Sequence, residues 1–443
     1  MGFYRLNRLG AAGKRSLRWV AWMLVGVALS WLVSCGSPGG STADDNTLDF
    51  WTMQLQPKFT EYFEALIEEF EGTHPGITVK WLDVPWAAME SKILTSVSAG
   101  TGPDVVNLNP TFASKLAERN AWMDLGDRLD ESTQATYLDN IWQAAKLEGQ
   151  SFSLPWYLTT RLTIFNKEIL SEAGIEAPPT NYEELAAMAA QVREKTGKYA
   201  FFVTFVPGDS GEVLESLVQM GVTLVDDEGR AAFDSPEGKR AFEFWVDLYK
   251  DGLLPRESLT QGHRRAIDLY QSGQTAILSS SPEFMGAIAT NAPSVAAVSG
   301  AAPQISGETG KVSAAMMTLV VPKKTNQPEL AAAFAAFVTN SANQLAFAKA
   351  ANVLPSQKEA LETLRGELNE AAAAATGEDT ESKLMQARQL SAEQLTKADV
   401  LLPPIRNIKD LQQIIYENLQ AAMLDEKTVD EAIADAAADW NRG

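Results

Sequence analysis

Strand-like and helix-like segments alternate over the first part of the chain, and this alternation constrains the fold more than any other feature of the sequence. Residues 48–53 are mostly apolar, which is typical of a strand buried on both faces of a parallel sheet. Two further strands are predicted at 77–81 and 104–109, and the segments between the three strands have the helical spacing of apolar residues. This order predicts an α/β fold with a parallel sheet and right-handed crossovers.

The carboxyl ends of these strands are expected to carry the ligand site, because ligands bind beyond that edge of a parallel sheet. The polar side chains there are mainly amides, with a carboxylate and an aromatic ring nearby, and these groups suit a neutral ligand rich in hydroxyl groups. The candidate contacts are Gln54, Gln56, Asp83, Trp86, Asn107 and Asn109. The alternatives are an exposed loop for the two glutamines, turn capping for the two asparagines, and packing under the next helix for the tryptophan.

Residues 1–34 have the pattern of an export signal peptide. Five basic residues precede an apolar run at 19–33, which is too short for a membrane-spanning helix, and no acidic residue occurs in the segment. The sequence Leu-Val-Ser-Cys at 32–35 resembles a bacterial lipobox, which implies that Cys35 carries a lipid and becomes the mature N-terminus. We therefore expect a polar tether at 35–46 and a location on the outer face of the bacterial cytoplasmic membrane, on the periplasmic or extracellular side. A buried N-terminal helix is the alternative.

Charge and residue counts exclude several classes of function. The chain has a net charge of −20, and removing the five basic residues of the leader gives −25. Such a surface repels phosphate backbones and anionic headgroups, so we expect no nucleic-acid binding and membrane contact only through the lipid. With the single cysteine used for lipid, no disulfide is available. The two histidines, His74 and His263, leave little material for a His-rich metal site, and we expect no metal and no cofactor.

A series of motifs follows the first strands in an ordered set. The initial strand–helix unit spans 51–109, and the sequence Phe-Ser-Leu-Pro-Trp-Tyr at 152–157 comes after it. Further motifs lie at 162–167, 173–183, 274–284, 321–324, 334–338 and 352–355. In this order the motifs resemble the extracellular solute-binding proteins of ABC sugar importers, the family that includes maltose-binding protein. The resemblance covers nearly the whole mature chain.

That family implies an α/β fold of two lobes, each a central, mainly parallel sheet flanked by helices, with the ligand cleft between the lobes. Carried onto this chain, lobe 1 comprises 47–157 and 275–315, and lobe 2 comprises 158–274 and 316–443. Contacts from both lobes would let a bound ligand shift the equilibrium between open and closed forms. The resemblance also implies a monomer that delivers its ligand to the transmembrane subunits of an ABC permease.

The hinge that the resemblance implies supplies further candidate contacts. Trp156 and Tyr157 follow Pro155, where either ring could stack on a sugar, and core packing is the alternative for both. Arg161 could bind hydroxyl groups or form a surface salt bridge.

Two loops complete the candidate site. Asp209 and Ser210 lie in a glycine-flanked loop that could face the cleft. Glu283 and Phe284 occupy a loop tip where relatives often have a tryptophan.

The sequence therefore predicts a lipid-anchored receptor, not an enzyme, that binds a neutral sugar such as a disaccharide, an oligosaccharide or a glucosyl-polyol. One alternative is a surface-anchored enzyme acting on glycans, because paired carboxylates in a cleft can hydrolyse glycosides. Another alternative is a receptor for a peptide or a polyamine. A polyamine site would need converging carboxylates, whereas the predicted strand ends offer mainly amides.

Overall fold

The computed structural model describes residues 46–375, 377, 379–402 and 405–442. The predicted signal peptide and Cys35 lie outside the described residues. Within the described ranges, no helix is both long enough and apolar enough to cross a membrane.

The described residues form ten strands arranged in two sheets. The strands are Thr47–Met53 (β1), Thr78–Val84 (β2), Val105–Leu108 (β3), Leu154–Thr160 (β4), Leu162–Asn166 (β5), Ile277–Ser280 (β6), Ser299–Ala302 (β7), Val312–Val320 (β8), Leu354–Pro355 (β9) and Ala398–Asp399 (β10). The large sheet has the order β2-β1-β3-β8-β4-β9, with β10 paired to β8, and the small sheet has the order β6-β5-β7.

Eighteen α-helices connect and cover the strands within the described residues. The first nine are Thr60–Thr73 (α1), Trp86–Ala99 (α2), Pro110–Glu118 (α3), Glu131–Gln134 (α4), Asp139–Ala144 (α5), Lys167–Glu172 (α6), Tyr182–Thr196 (α7), Glu212–Gln219 (α8) and Pro236–Lys250 (α9). The others are Arg264–Gln271 (α10), Glu283–Asn291 (α11), Pro293–Val298 (α12), Pro328–Val338 (α13), Ser341–Ala351 (α14), Lys358–Ala374 (α15), Thr380–Leu395 (α16), Ile408–Met423 (α17) and Val429–Arg442 (α18).

The large sheet begins as the sequence predicts and then changes direction. Strand β1 is parallel to both β2 and β3, so the alternation of strands and helices at the start of the chain does build a parallel unit. Strand β8 then runs antiparallel to β3 and β4, which makes the whole sheet mixed. Successive residues of β1 face opposite sides: Phe50 lies in one apolar cluster and Trp51 in another.

The small sheet is antiparallel, in contrast to the expectation of a mainly parallel sheet in each lobe. Strand β5 follows β4 after a single residue, and it pairs with β6 and β7, which both run in the opposite direction. The extensive apolar cluster beside this sheet is formed mainly by helices α6–α9, α17 and α18. We call this part of the molecule the small-sheet body, and the part built around the large sheet the large-sheet body.

Strand pairing places two segments differently from the predicted lobe boundaries. Residues 277–280 were expected in lobe 1, yet they pair with β5, which was expected in lobe 2. Conversely, residues 316–320 were expected in lobe 2 and pair with β3 and β4 of the large sheet. A hydrogen-bonded strand belongs to the body that contains its partner, so β6 is part of the small-sheet body and β8 is part of the large-sheet body.

Candidate functional site

A cleft with a volume of about 510 Å³ lies where the two bodies meet. The large-sheet body contributes Trp86, Asn109, Thr111, Tyr157, Thr159, Met316 and Met317. The small-sheet body contributes Asp209, Ser210, Gly211, Glu215 and His263. Arg161, the single residue between β4 and β5, also lines the cleft. Because Trp86 follows β2 and Asn109 follows β3, the cleft lies at the carboxyl ends of parallel strands, as expected.

Two aromatic rings define the wall on the large-sheet side. Trp86 is the first residue of α2 and is 43% exposed, and its ring centroid lies 5.7 Å from that of Phe112. Tyr157 is half-buried on β4. Burial, with a smaller contribution from the charge of Asp83, raises the pKa of the Tyr157 hydroxyl well above its usual range. The hydroxyl is therefore protonated at neutral pH and can donate a hydrogen bond.

Polar groups beside the rings come from strand ends and a helix start. Asn109 is the N-cap of α3, and its side-chain oxygen accepts a hydrogen bond from the backbone N–H of Phe112 at 2.7 Å. Turn capping, the alternative considered for this residue, is thus observed. The cap uses only the oxygen, so the amide nitrogen can donate to a ligand. The hydroxyl groups of Thr111 and Thr159 line the same wall.

The opposite wall carries a cluster of charged side chains around Arg161. Its Nη1 lies 3.4 Å from Oε2 of Glu215 and 3.7 Å from Oε1 of Glu212. The other Glu212 oxygen, Oε2, lies 3.8 Å from Nδ1 of His263, whose backbone N–H donates to Oδ1 of Asp209 at 2.7 Å. The ion-pair distances exceed those of ordinary hydrogen bonds, so the guanidinium lies between the two glutamates without a close bond to either.

Burial also affects one acid of this wall, Glu215. The Glu215 side chain is 15% exposed, and burial raises the pKa of its carboxyl above the ordinary value, while the nearby guanidinium of Arg161 acts in the opposite direction. Glu212 and Glu215 are three residues apart on α8, so they share one helix face.

A second, smaller space lies behind Arg161. This chamber has a volume of about 60 Å³, enough for several water molecules, and Arg161 and Glu215 line both the chamber and the cleft. Its other walls include Tyr182 and Trp245, and the indole N–H of Trp245 donates to the Ser216 hydroxyl at 2.9 Å. The arginine and the glutamate therefore separate the chamber from the cleft.

Two predicted contacts, Gln54 and Gln56, belong to the turn after β1, a third, Asp83, lies on β2, and none of the three is among the residues that line the cleft. Gln54 and Gln56 are exposed, which agrees with the alternative that these two glutamines lie in an exposed loop. The Asp83 carboxylate accepts hydrogen bonds from the Thr52 hydroxyl at 2.7 Å and from the backbone N–H groups of Leu55 and Gln56 at 2.9 and 3.1 Å. Asp83 therefore fixes the turn.

Two further predicted contacts are buried away from the cleft. Asn107 is fully buried in β3, and its side-chain amide donates to the carbonyl of Thr318 at 3.3 Å. Trp156 is also fully buried, and its ring stacks on Phe347 with a centroid distance of 5.0 Å. Adjacent residues of a strand face opposite sides, so Trp156 faces the core where Tyr157 faces the cleft.

The last two predicted contacts lie at the start of α11. Glu283 and Phe284 are half-buried and are not among the residues that line the cleft. Phe284 packs against a second apolar cluster, which includes Leu162, Ile164 and Leu278 of the small sheet, and burial raises the pKa of the Glu283 carboxyl.

Several cleft residues were missed at the level of sequence, although some of them had a signal. Thr159 lies midway between the predicted contacts Tyr157 and Arg161, so the two-residue period of a strand connects it to both. Glu215 follows Glu212 by nearly one helical turn. His263 and the pair Met316 and Met317 on β8 reach the cleft only through long-range packing. Among the described residues, no group of three or more His, Cys, Asp or Glu side chains could hold a metal ion.

Two bodies joined through short strand connections, with a polar and aromatic cleft between them, define a two-lobed solute-binding protein. Residues 56–345 match the model of the family described as bacterial extracellular solute-binding protein. The chain belongs to this family.

Individual relatives agree with this assignment. A solved structure of a "putative oligosaccharide periplasmic-binding protein" from Synechococcus sp. MITs9220, in complex with zinc, is 46% identical, with a TM-score of 0.82, and the match covers 89% of this chain and 98% of that one. The arabinooligosaccharide-binding protein of Halalkalibacterium halodurans is 25% identical over 67% of this chain and 68% of its own length. A "putative binding protein" of Brucella abortus is 23% identical over 63% of this chain, and the match spans 66% of that relative's length.

Proposed function

We propose that this protein is the solute-binding component of an ABC importer and that its cleft captures a neutral sugar: a disaccharide, an oligosaccharide or a glucosyl-polyol. The observation that carries the proposal is the composition of the large-sheet wall. Trp86 and Tyr157 stand beside the amide and hydroxyl groups of Asn109, Thr111 and Thr159. Aromatic rings can stack on the apolar face of a pyranose while amides and hydroxyls bond its polar edge.

The size of the cleft and the names of the relatives support the same ligand class. A volume of about 510 Å³ is in the range of small-molecule sites. The Synechococcus and Halalkalibacterium proteins are named for binding oligosaccharides. The transmembrane subunits of a permease are the expected partner, which would receive the sugar from this protein acting as a monomer.

Closure of the two bodies on the ligand is part of the proposal. A sugar that touches Tyr157 from one side and Ser210 from the other would gain contacts only when the bodies approach each other. Such differential contact is what shifts an open–closed equilibrium. The lobe division proposed here follows the strand pairing, with β6 in the small-sheet body and β8 in the large-sheet body.

Lipid anchoring through Cys35 is a separate proposal that rests on the resemblance of residues 32–35 to a lipobox. The Cys35→Ala variant, exported from the cell of origin, should fold and bind ligand but leave the membrane fraction. A variant that still sediments with membranes after removal of its leader would contradict the anchor.

A cationic ligand such as a polyamine is the second candidate. Asp209 and Glu215 line one side of the cleft, and Glu212 lines the adjoining chamber, so acidic groups converge here, which the strand ends alone did not offer. Arg161 already faces two of these acids, and none of the described residues that line the large-sheet wall is charged, so a second ammonium group would find no acidic partner on that side. We therefore place the neutral sugar first.

A thermal-shift screen followed by calorimetry tests the proposal on the protein lacking residues 1–35. The panel contains neutral disaccharides, oligosaccharides, glucosyl-polyols, polyamines and short peptides. A sugar at a hundredfold excess over its Kd should stabilise the fold by about 2.7 kcal/mol. Stabilisation by polyamines alone would favour the second candidate.

The same samples test for catalysis. A binding protein returns an incubated oligosaccharide unchanged, whereas release of reducing ends would support the glycan-acting enzyme. A Glu212→Gln/Glu215→Gln variant is the control, because it removes the paired carboxylates that hydrolysis would use.

A further inference from the structure

Acidic side chains outnumber basic ones around the cleft and the chamber. The described lining residues with acidic or basic side chains are Asp209, Glu212, Glu215, Arg161 and His263. Counting the carboxylates and the guanidinium alone, three negative charges face one positive charge. Tyr157 and Tyr182 add none at neutral pH, because burial raises the pKa of both hydroxyls above the usual range.

The single arginine is shared between two acids. Nη1 of Arg161 lies within 3.7 Å of a Glu212 oxygen and 3.4 Å from a Glu215 oxygen, so an anionic ligand would have to compete with both carboxylates for the same guanidinium. His263 is in a similar position, because its Nδ1 faces Glu212 and its backbone N–H is occupied by Asp209. Both basic side chains at the cleft therefore already face an acid.

The start of α8 is the remaining source of positive potential. A helix N-terminus carries a partial charge of about half an elementary charge, which favours anions. Here Glu212 and Glu215 lie in the first turn of that helix and offset this charge. The two glutamates therefore remove the other feature that could attract an anion.

Solvent screens these charges only weakly. The side chains of Arg161, Glu212 and Glu215 are 25%, 20% and 15% exposed, respectively. Charges interact more strongly in a partly buried site than in open water, and a cleft lined by one sign of charge concentrates its field. The net charge of the whole chain, −20, adds to the repulsion of an approaching anion.

Building on the proposed sugar-binding function, we propose that Glu212 and Glu215, with Arg161 held between them, determine specificity by excluding anionic sugars from the cleft. A uronic acid would bring a carboxylate towards an excess of negative charge and find no free guanidinium. The neutral sugar of the same ring carries no such penalty. An amino sugar would also be admitted, because its ammonium can pair with Asp209 or Glu215.

The experiment compares three ligands that share one ring: the best neutral sugar of the thermal-shift screen, its uronic acid and its amino sugar. Calorimetry measures the Kd of each for the wild type and for Glu215→Gln, Glu212→Gln and the double variant. Glu359→Gln is the matched control, because it removes one negative charge from an exposed position on α15. Melting curves establish that every variant is folded.

In the wild type we expect the uronic acid to bind at least tenfold more weakly than the neutral sugar, and the amino sugar to bind at least as well. Each of the two single glutamate variants should lower the ratio of the uronic-acid Kd to the neutral-sugar Kd several-fold. The double variant, which leaves Arg161 unpaired, should bind the uronic acid at least as tightly as the neutral sugar. Glu359→Gln should leave the ratio of the two Kd values as it is in the wild type.

Equal affinity of the wild type for the neutral sugar and the uronic acid would overturn the charge selection while leaving the proposed function intact. An unchanged Kd ratio in the double variant would also overturn the charge selection, because the two glutamates would then not be the cause of the difference in affinity. If no sugar binds the wild type, or only the uronic acid does, the proposed function itself fails and the selection fails with it.

Discussion

The two walls of the cleft differ in chemistry. The large-sheet wall carries rings, amides, hydroxyls and the thioethers of Met316 and Met317, and none of its lining residues within the described chain is charged. The small-sheet wall carries Asp209, Glu215 and His263, and Arg161 lies at the junction of the two. One wall can therefore recognise the shape and hydroxyl pattern of a ligand, whereas the other responds to its charge.

The walls also differ in how they are supported. The large-sheet wall rests on the core of a mixed sheet, with Trp156 packed directly behind Tyr157 at a ring-centroid distance of 5.0 Å. The small-sheet wall is the first turn of α8 and the loop before it, and hydrogen bonds from Gln412 and Tyr416 to the carbonyl of Ser210 hold that loop. Substitutions should therefore act mainly on stability behind the first wall and mainly on ligand choice at the second.

The largest effect is expected for Trp156→Ala, behind the uncharged wall. The ring is fully buried and stacks on Phe347, so its removal should lower the free energy of unfolding by about 3–5 kcal/mol. Chemical denaturation measures this change. A variant of wild-type stability that no longer binds sugar would show instead that Trp156 contacts the ligand.

The next largest effect is expected for Trp86→Ala, at the front of the same wall. The ring is 43% exposed and should stack on the sugar, so its loss should weaken binding by about 1–3 kcal/mol with little change in melting temperature. Trp440→Ala is the matched control, because that ring lies on α18 and is not among the residues that line the cleft. Equal affinities of the two variants, measured by calorimetry, would remove Trp86 from the site.

A smaller effect is expected for Asp83→Asn, which weakens the support of the large-sheet wall. An asparagine keeps one acceptor oxygen but loses the bond to the backbone N–H of Gln56, so stability should fall by about 1 kcal/mol. The turn also positions Gln54, whose side-chain oxygen accepts the backbone N–H of Trp86 at 3.3 Å. A loss of affinity larger than that of Trp86→Ala would mean that Asp83 itself binds the ligand.

The smallest effect is expected for Glu215→Gln at the charged wall, and this substitution should raise the stability of the fold instead of lowering it. Because the folded-state pKa of Glu215 lies above its ordinary value of 4.5, the ionised carboxylate destabilises the fold once the pH exceeds the folded-state pKa. The glutamine variant should melt at a higher temperature at pH 7, and this advantage should vanish as the pH falls below 4.5. A variant that melts lower than the wild type at pH 7 would show that the attraction of Arg161 exceeds the cost of burial.

Local sequence patterns predicted the part of the fold that local patterns can determine. The parallel unit β1–β3 follows from apolar periodicity, and the prediction is confirmed by the pairing of β1 with β2 and β3. The placement of β8 depends on contacts such as Val106 with Val320, which are far apart along the chain and leave no local signal. The antiparallel small sheet also leaves no local signal, because β6 and β7 pair with β5 only after long helical connections.

The candidate site was predictable to a similar extent. Trp86 and Asn109 follow strand ends and line the cleft, whereas Asn107 lies within β3, two positions before Asn109, and is buried in the sheet. Strand alternation would have separated Trp156 from Tyr157 had the exact bounds of β4 been known. The charged wall depends on His263 meeting Asp209, a tertiary contact without a sequence pattern. Contact of any of these residues with a ligand stays a prediction.

The exposed indole of Trp86 gives the protein an optical reporter. Trp86 is the one tryptophan among the large apolar side chains that are exposed in the described part of the chain, whereas Trp51, Trp122, Trp142, Trp156 and Trp245 are buried. Its emission should lie at long wavelength in the empty protein and shift towards the blue when a sugar displaces water from the ring. Binding could then be followed in a stopped-flow fluorimeter without any label, and loss of the signal in the Trp86→Ala variant would identify its source.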